Sequence, residues 1–143
     1  MNLYTSYWAQ VRNFPKNLFG LNTTIWPPKW RPLGQDKNGI WVIDCPPLKP
    51  GIECAGLCNG KCNLKKPDCN FLQTYRKQLD NIDINKFLDN LFRLKKKIEV
   101  EENLNQVSFA FIVFEAPTNP CSERWPIQDW LKSHEIKIEE WHK

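Results

Sequence analysis

The segment GIECAGLCNGKCNLKKPDC, residues 51–69, contains four cysteines within nineteen positions. Two glycines lie between the first three cysteines and a proline lies on either side of them, which favours a wrapped loop over a helix. Four thiolates in such a loop can surround a tetrahedral zinc ion, and an iron–sulfur cluster also takes four cysteines. The segment therefore predicts a zinc site, with an iron–sulfur cluster as the alternative, formed by Cys54, Cys58, Cys62 and Cys69.

Other interpretations of these thiols stay open. Some could be small buried hydrophobic residues, or two could form an oxidised pair. The N-terminus lacks the pattern of a secretory signal, which predicts a cytoplasmic protein, and a reducing compartment disfavours structural disulfides. Cys45 is either a substitute ligand or a packed residue beside Pro46 and Pro47, and the second interpretation is favoured.

A second group of reactive side chains follows the most strongly β-prone run of the chain. VSFAFIVFE, residues 107–115, is almost continuously apolar, which is typical of a central strand covered on both faces. After this run, APTNPCSERWPIQDWL leads into a helix with Ser122 as a candidate N-cap. Ligands of open α/β sheets bind beyond the carboxyl ends of the strands, where a helix N-terminus offers free N–H groups to an anion. We therefore expect an anion-accepting pocket formed by Glu115, Cys121, Ser122 and Arg124.

The residues of this group have different candidate roles. Arg124 can bind a phosphate or carboxylate, or it can pair with Glu115 and tie the turn to the strand. Cys121, at a helix start, is the candidate nucleophile or redox thiol. Glu115 and Glu123 are candidates for proton transfer, Glu123 only if burial raises its pKa. The predicted catalytic residues are Cys121, Glu115 and Glu123.

The first strand supplies further candidates. NLYTSY, residues 2–7, is aromatic and β-prone, and side chains near its carboxyl end would face the same crevice. These side chains either bind a ligand or belong to the core, and they are Tyr4, Ser6, Tyr7 and Arg12. The stretch WPPKWR, residues 26–31, interleaves aromatic and basic groups, which suits stacking on bases, although a proline-braced tryptophan lid over the sheet is favoured.

These candidates need a scaffold in which strands alternate with helices. The predicted strands are residues 2–7, 18–25, 39–43 as a short edge strand, 107–115 and 135–141. The predicted helices are WAQVRNFP, NFLQTYRKQLD, DINKFLDNLFRLKKKIE and SERWPIQDWLKSH. The third of these begins at the candidate N-cap Asp83. Its apolar stripe contains Ile84, Phe87, Leu88, Leu91, Phe92 and Ile98. The order of elements predicts a three-layer α/β domain with a mainly parallel sheet and a cysteine-rich loop insertion.

Composition limits the classes of function. The 143 residues include seven tryptophans and are 41% hydrophobic, enough apolar surface for one domain, residues 1–143, with residues 44–69 as the cysteine-rich metal-binding insertion. The formal net charge of +4 is far below that of dedicated DNA-binding proteins. No stretch approaches the roughly 18 consecutive apolar residues of a membrane-spanning helix, so no membrane partner is predicted.

Three stretches, YTSYWAQVRNFPK, WPPKW and FEAPTNPCSERWPIQDWL, resemble the family called domain of unknown function 488, particularly its small phage and bacterial members. The resemblance covers the N-terminal third and the C-terminal quarter of the chain. It implies a compact α/β protein whose late strand ends in an acidic residue, followed by a Cys-His-Arg motif at a helix start. Glu115, Cys121 and Arg124 match the acidic residue, the cysteine and the arginine. This chain reads CSER, without a histidine, so the base that would activate the thiol is missing.

The combined prediction is a cytoplasmic metal-binding protein with a pocket at residues 115–124 for a nucleotide or nucleic-acid-related ligand. As an enzyme it would use Arg124 to hold phosphate and Glu115 or Glu123 to move a proton. The missing histidine favours the alternative of a binding or adaptor protein without chemistry. A further alternative is a thiol-based redox sensor that uses Cys121 or the cysteine cluster.

Overall fold

Strands from both halves of the chain form one sheet. The computed structural model describes residues 1–25, 28, 34–35, 41–55, 57 and 69–143, with the backbone alone for residues 34, 35, 41, 53 and 55. The strands are β1 Leu3–Tyr7, β2 Leu18–Asn22, β3 Gly34–Gln35, β4 Trp41–Asp44, β5 Ser108–Val113 and β6 Glu139–Glu140. Their order across the sheet is β3-β4-β2-β5-β1-β6.

The sheet is mainly parallel, as the alternation of strands and helices predicts. β5 lies in its centre, with Phe109 beside Leu3 of β1 and beside Phe19 of β2, and both pairings are parallel. β4 and β6 continue the parallel arrangement on either side, whereas β3 is antiparallel to β4. The strand predicted at residues 39–43 is confirmed as β4, but its predicted place at the edge of the sheet is wrong, because β3 pairs with the outer side of β4.

The helices at residues 8–13, 70–80, 84–101 and 124–133 lie close to the predicted positions, whereas the short helices at residues 46–48 and 52–55 lie where the sequence predicts turns and a loop. These helices are the 3-10 helices Trp8–Asn13 and Pro46–Leu48 and the α-helices α1 Ile52–Ala55, α2 Asn70–Asp80, α3 Ile84–Glu101 and α4 Arg124–Ser133. The predicted N-cap of α3 is confirmed, since the Asp83 side chain accepts hydrogen bonds from two N–H groups of the first turn. In the part of the chain that the structure describes, no helix is both long enough and apolar enough to cross a membrane.

The sheet is covered on both faces. Alternate residues of β5 point to opposite sides, so Phe109 and Phe111 join one apolar cluster while Ala110 and Ile112 join the other. The first cluster includes the buried sides of α2, α3 and α4, and the second includes the 3-10 helix Trp8–Asn13. These layers confirm the predicted three-layer α/β fold and explain why β5 has almost no polar residues. The α3 stripe is buried or partly buried there except at Phe92, which is 50% exposed, so the predicted place of Phe92 in the stripe is wrong.

Candidate functional site at the carboxyl edge of the sheet

The topology opens a crevice between two neighbouring strands. After β2 the chain continues to β4 on one side, and after β5 it continues through α4 to β6 on the other side. Connections that leave adjacent parallel strands in opposite directions create the crevice where ligands of α/β sheets bind. The residues that line this edge follow Asn22 on the β2 side and Val113 on the β5 side.

The β2 side of the crevice is a satisfied network of neutral groups with one ion pair. The buried Asn22 amide donates to the Thr24 carbonyl and to Asp44 Oδ1, both at 3.1 Å. Its Oδ1 accepts from the Thr24 N–H and the Thr24 hydroxyl. Asp44 is 2.7 Å from Lys49 Nζ, and the Thr23 hydroxyl donates to the Ile112 carbonyl at 2.8 Å. The network joins β2 to β4 and to β5, which holds the edge rigid.

The start of α4 is closed by the chain's own side chains. The Ser122 Oγ accepts from the Arg124 N–H at 3.3 Å, and the Cys121 N–H donates to Asn119 Oδ1 at 2.9 Å. The helix begins at Arg124 with Glu123 as its cap residue, so the capping side chain lies one residue earlier than the cap position. Because Ser122 already occupies a helix-end donor, fewer N–H groups stay available for the predicted anion.

Arg124 is held in a polar network that joins α4, β1 and β6. Its guanidinium is 0% exposed, and Nη2 donates to Glu140 Oε2 at 3.2 Å. Nε lies 2.9 Å from Glu140 Oε1, although its N–H is not aligned well enough to count as a hydrogen bond. The Thr5 hydroxyl donates to Glu140 Oε1 at 2.8 Å and accepts from Gln128 Nε2 at 2.7 Å. The ion pair of Arg124 therefore runs to Glu140, rather than to Glu115 as one of the sequence hypotheses has it.

Burial and ring contacts define the environment of the Arg124 guanidinium. Its Cζ is 5.6 Å from the centre of the Tyr7 ring and 5.9 Å from that of Trp125. Burial lowers the pKa of Arg124 and raises that of Glu140, even though each partner opposes the shift of the other. Nη1 has no hydrogen-bond acceptor among the described residues. A buried guanidinium that is already paired is better placed to position neighbouring groups than to hold a phosphate.

Glu115 and Glu123 form a carboxyl pair beside Arg124. Desolvation is the largest cause that raises the pKa of Glu123 to about 8, and the charge of Glu115 and a hydrogen bond to it add to the shift, whereas Arg124 opposes it. Glu115 Oε2 is buried without a hydrogen-bond partner among the described residues. Two carboxyl groups in contact cannot both ionise readily, so Glu123 keeps its proton to a higher pH than an exposed carboxyl group does. The condition set for Glu123 as a proton-transfer residue, a raised pKa, is therefore met.

The candidates from the first strand are spread over different places. Tyr7 contacts Arg124 and belongs with the carboxyl pair and Glu140. Ser6 is buried and its hydroxyl donates to the Trp141 carbonyl at 2.9 Å. Tyr4 packs near the amino end of β1 against the cluster of the opposite face, and Arg12 is exposed in a 3-10 helix. The aromatic and basic stretch 26–31 lies outside the described residues, apart from Pro28.

Two of the four predicted zinc ligands, Cys58 and Cys62, lie outside the described residues. Cys54 is buried, with its Sγ 3.6 Å from Gln78 Oε1 near the end of α2, whereas Cys69 immediately precedes α2. Gln78 lies nine residues after Cys69, so Cys54 contacts a side chain from the last turns of the helix that Cys69 precedes. No group of three metal-ligating side chains occurs within the described ranges.

Cys45 is a packed core residue. Its side chain is 6% exposed within the cluster that α2, α3 and α4 cover. Burial raises the pKa of its thiol to about 12, with a smaller opposing effect of the Leu48 backbone. A thiol that stays protonated at neutral pH is a poor metal ligand, which agrees with the favoured sequence interpretation.

Sequence reasoning missed the residues that complete this site, Glu140 above all. Glu140 comes from β6, which has only two residues, and its partner Thr5 lies 135 positions away in the chain. The alternating pattern of residues 135–141 indicates a strand but not which strand it pairs with.

Comparison of the chain with protein-family models, with curated proteins and with solved structures finds no match in any of the three. The resemblance to domain of unknown function 488 therefore stays a prediction.

Proposed function

We propose that the protein binds a ligand of the nucleobase or nucleotide class in the crevice between β2 and β5, where Glu115 and Glu123 move a proton on it. The observation that carries this proposal is the contact of Glu115 and Glu123, which together with burial raises the pKa of Glu123 and leaves Glu115 Oε2 buried without a partner among the described residues. The pair follows the central strand at the edge where α/β sheets bind ligands. We include the cytoplasmic location and the family resemblance in the proposal as expectations from the sequence.

The hydrogen-bonding capacity of the pair suggests the class of ligand. A protonated carboxyl group donates one hydrogen bond, and an ionised carboxylate only accepts. When a ligand draws the Glu123 proton away from Glu115, the pair offers it a donor beside an acceptor, which complements the adjacent N–H and C=O groups on the edge of a nucleobase. Glu115 Oε2, buried and without a partner among the described residues, is the acceptor available for this contact.

Proton transfer also follows from the environment of Glu123. A general acid or base works best when its pKa lies near the working pH, and Glu123 has a pKa of about 8. Arg124 favours the ionised form of Glu123 and is itself fixed by Glu140, so it would balance the charge as the proton leaves. We therefore assign Arg124 to positioning and charge balance, and Glu123 to proton transfer.

Thermal-shift measurements with nucleobases, nucleosides and nucleotides test the proposal. We expect a ligand from this panel to raise the melting temperature of the parent protein, and the isosteric Glu115→Gln variant to lose most of that shift. Glu139→Gln, a change at the exposed neighbour of Glu140, serves as the control and should keep the shift. If no member of the panel stabilises the parent protein between pH 6 and 9, the proposed ligand class is wrong.

Product analysis separates catalysis from binding. The ligand that stabilises the protein is incubated with the parent and with Glu123→Gln, and chromatography measures its conversion. Conversion by the parent that Glu123→Gln loses while it still binds the ligand supports proton transfer by Glu123. Binding without conversion supports the rival hypothesis of a binding or adaptor protein, to which the missing histidine of the CSER stretch points.

The zinc hypothesis for Cys54, Cys58, Cys62 and Cys69 needs a separate test. Elemental analysis and an absorption spectrum of the purified protein distinguish zinc from an iron–sulfur cluster. The hypothesis predicts one equivalent of metal that the double variant Cys58→Ser/Cys62→Ser loses and that Cys45→Ala keeps. A metal-free parent protein purified without chelators would contradict it.

A further inference from the structure

The outer surface of α4 carries two adjoining depressions. One, of about 410 Å³, lies between α4 and α2, and the other, of about 320 Å³, lies between α4 and the segment that leads to β6. Trp125 and Asp129, one helical turn apart, line both of them. We call the two depressions together the α4 groove. Its first part has the size of common ligand-binding clefts.

Positive charge dominates the lining of the α4 groove. Arg76 and Lys77 line the part next to α2, and Lys132 and Lys137 line the part next to β6. Asp129 is the carboxylate among the described lining residues, and it is 2.9 Å from Arg76 Nε. Arg76 also pairs with Asp80. Lys132 and Lys137 are exposed and pair with no acidic side chain of the described ranges, so their charge is available to a partner.

Trp125 is the fixed aromatic surface between these cations. Its Nε1 donates to the Asn119 carbonyl at 3.2 Å, which holds the ring in one orientation. Its ring is partly exposed, and it borders both depressions rather than the core. The side chain therefore loses little conformational entropy when its ring stacks on a planar ligand.

We propose that the α4 groove binds single-stranded nucleic acid, with a base stacked on Trp125 and the backbone phosphates next to Lys77, Lys132 and Lys137. A positively charged groove with an aromatic platform is how proteins bind single strands without sequence preference, because every base has a face to stack. An acidic peptide would match the charge but would make no specific use of the ring. The proposal goes beyond the carboxyl pair, since it requires no proton transfer.

The first experiment is fluorescence anisotropy with a labelled oligothymidylate of about 12 nucleotides at low salt. Lys132→Glu/Lys137→Glu changes two groove lysines, and Lys86→Glu/Lys97→Glu changes two exposed lysines of α3. Each reversal removes two units of charge, so both double variants take the formal net charge from +4 to zero. We expect the groove variant to weaken binding by about tenfold or more and the α3 variant by about twofold or less.

Salt dependence and the aromatic platform give independent measurements. The plot of log Kd against log salt concentration should become shallower by about 1.4 in the groove variant, because two phosphate contacts are lost. Trp125→Leu keeps an apolar side chain but removes the stacking face, and it should weaken binding by about fivefold or more at an unchanged salt slope. Circular dichroism and melting temperature establish that each variant is folded.

Three results would overturn the proposal. They are the absence of binding by the parent protein at low salt, equal weakening in the groove and α3 variants, and equally tight binding of a labelled oligoglutamate of matched charge, which would identify an acidic peptide instead. Glu115→Gln, the variant expected to lose the ligand of the carboxyl pair, should bind the oligonucleotide as the parent does. Its result therefore separates this proposal from that of the carboxyl pair, and each can fail without the other.

Discussion

The two sides of the sheet's carboxyl edge differ in whether their buried polar atoms have hydrogen-bond partners. On the β2 side, the buried Asn22 amide makes hydrogen bonds with both of its polar atoms. On the α4 side, Arg124 Nη1 and Glu115 Oε2 are buried without hydrogen-bond partners among the described residues. Buried polar atoms without partners are rare in folded proteins, and they need an explanation such as a ligand or an ordered water. The difference agrees with our proposal that the β2 side is scaffold and that the α4 side binds a ligand.

Charge distinguishes the two sides as well. Asp44 on the β2 side is partly exposed and paired with Lys49. Glu123 on the α4 side has its pKa raised to about 8, first by desolvation and then by Glu115. Perturbed ionisable groups in clefts are concentrated at functional sites because catalysis needs them and stability does not. Variants that remove matched groups from each side test whether the two sides differ in this way.

The largest effect is expected for Glu140→Ala. The substitution leaves the Arg124 guanidinium buried and without its carboxylate, which typically costs about 3 to 4 kcal/mol of unfolding free energy. Glu139→Ala removes the exposed neighbouring carboxylate and should change stability by about 0.5 kcal/mol or less. Urea denaturation of both variants and the parent measures the difference. Equal stability of the two variants would mean that water replaces Glu140, and that the α4 side is open rather than closed around Arg124.

The matched change on the β2 side is Asn22→Ala. Removal of the amide leaves the Thr24 N–H and hydroxyl without their acceptor in a buried place, at a cost of about 2 to 3 kcal/mol. The control is Asn17→Ala, since the Asn17 amide donates a single exposed hydrogen bond to the Gln106 carbonyl. We expect Asn22→Ala to lower the melting temperature without a change in ligand binding at saturating concentration. If the folded variant lost ligand binding, the ligand would contact the β2 side, and the two sides would no longer differ in their role.

The pH dependence of stability tests the carboxyl pair directly. Below about pH 4.5, the ordinary value, Glu123 is protonated in both the folded and the unfolded chain. Between pH 4.5 and about 8 the unfolded chain gives up this proton while the folded chain keeps it, so stability falls as the pH rises. Above pH 8 the folded chain ionises too and the fall ends. Glu123→Gln should remove this decline.

The size of this decline in stability follows from the pKa shift of Glu123, and the partial exposure of Glu123 reduces it. One pKa unit corresponds to about 1.4 kcal/mol, and we expect Glu123→Gln to gain about 2 kcal/mol on the parent between pH 5 and pH 8. Glu140, whose pKa burial also raises, is present in both proteins and does not affect the difference. Chemical denaturation at several pH values measures it, with Glu139→Gln as the control. A constant difference across this range would show that Glu123 is ionised at neutral pH.

The sequence predicts the strands and helices well because their signals are local. The apolar run of β5, the exact extent of α2 and the Asp83 cap each depend on neighbouring residues alone. The prediction for Phe92 is wrong because this residue fits the helical period but lies at the border of the buried stripe. Lys96 Nζ lies 5.2 Å from the centre of its ring. Periodicity alone does not show where the neighbouring layer ends.

The candidate site is predicted only in part, because its partners come from distant segments. Glu115, Glu123 and Arg124 are adjacent in sequence to a strand end, where ligand sites are expected. Glu140 and Thr5 meet only because β6 adds to β1 at the edge of the sheet, and a strand of two residues gives no sequence signal for its partner. The sequence therefore predicts a phosphate, a carboxylate ligand or Glu115 as the partner of Arg124, whereas its salt bridge runs to a carboxylate of β6.

The smallest expected effects compare one hydroxyl on each side of the edge. Thr5→Val removes a hydrogen bond to the Glu140 carboxylate, and Thr24→Val removes one to the neutral Asn22 amide. Hydrogen bonds to charged groups contribute more, so we expect losses of about 1.5 kcal/mol for Thr5→Val and about 0.5 kcal/mol for Thr24→Val. Because the Thr5 hydrogen bond lowers the pKa of Glu140 against the effect of burial, Thr5→Val should also steepen the decline of stability above pH 5, whereas Thr24→Val should not. Equal losses with parallel pH profiles would mean that the Arg124–Glu140 pair is as well solvated as the neutral network, and that charge does not separate the two sides.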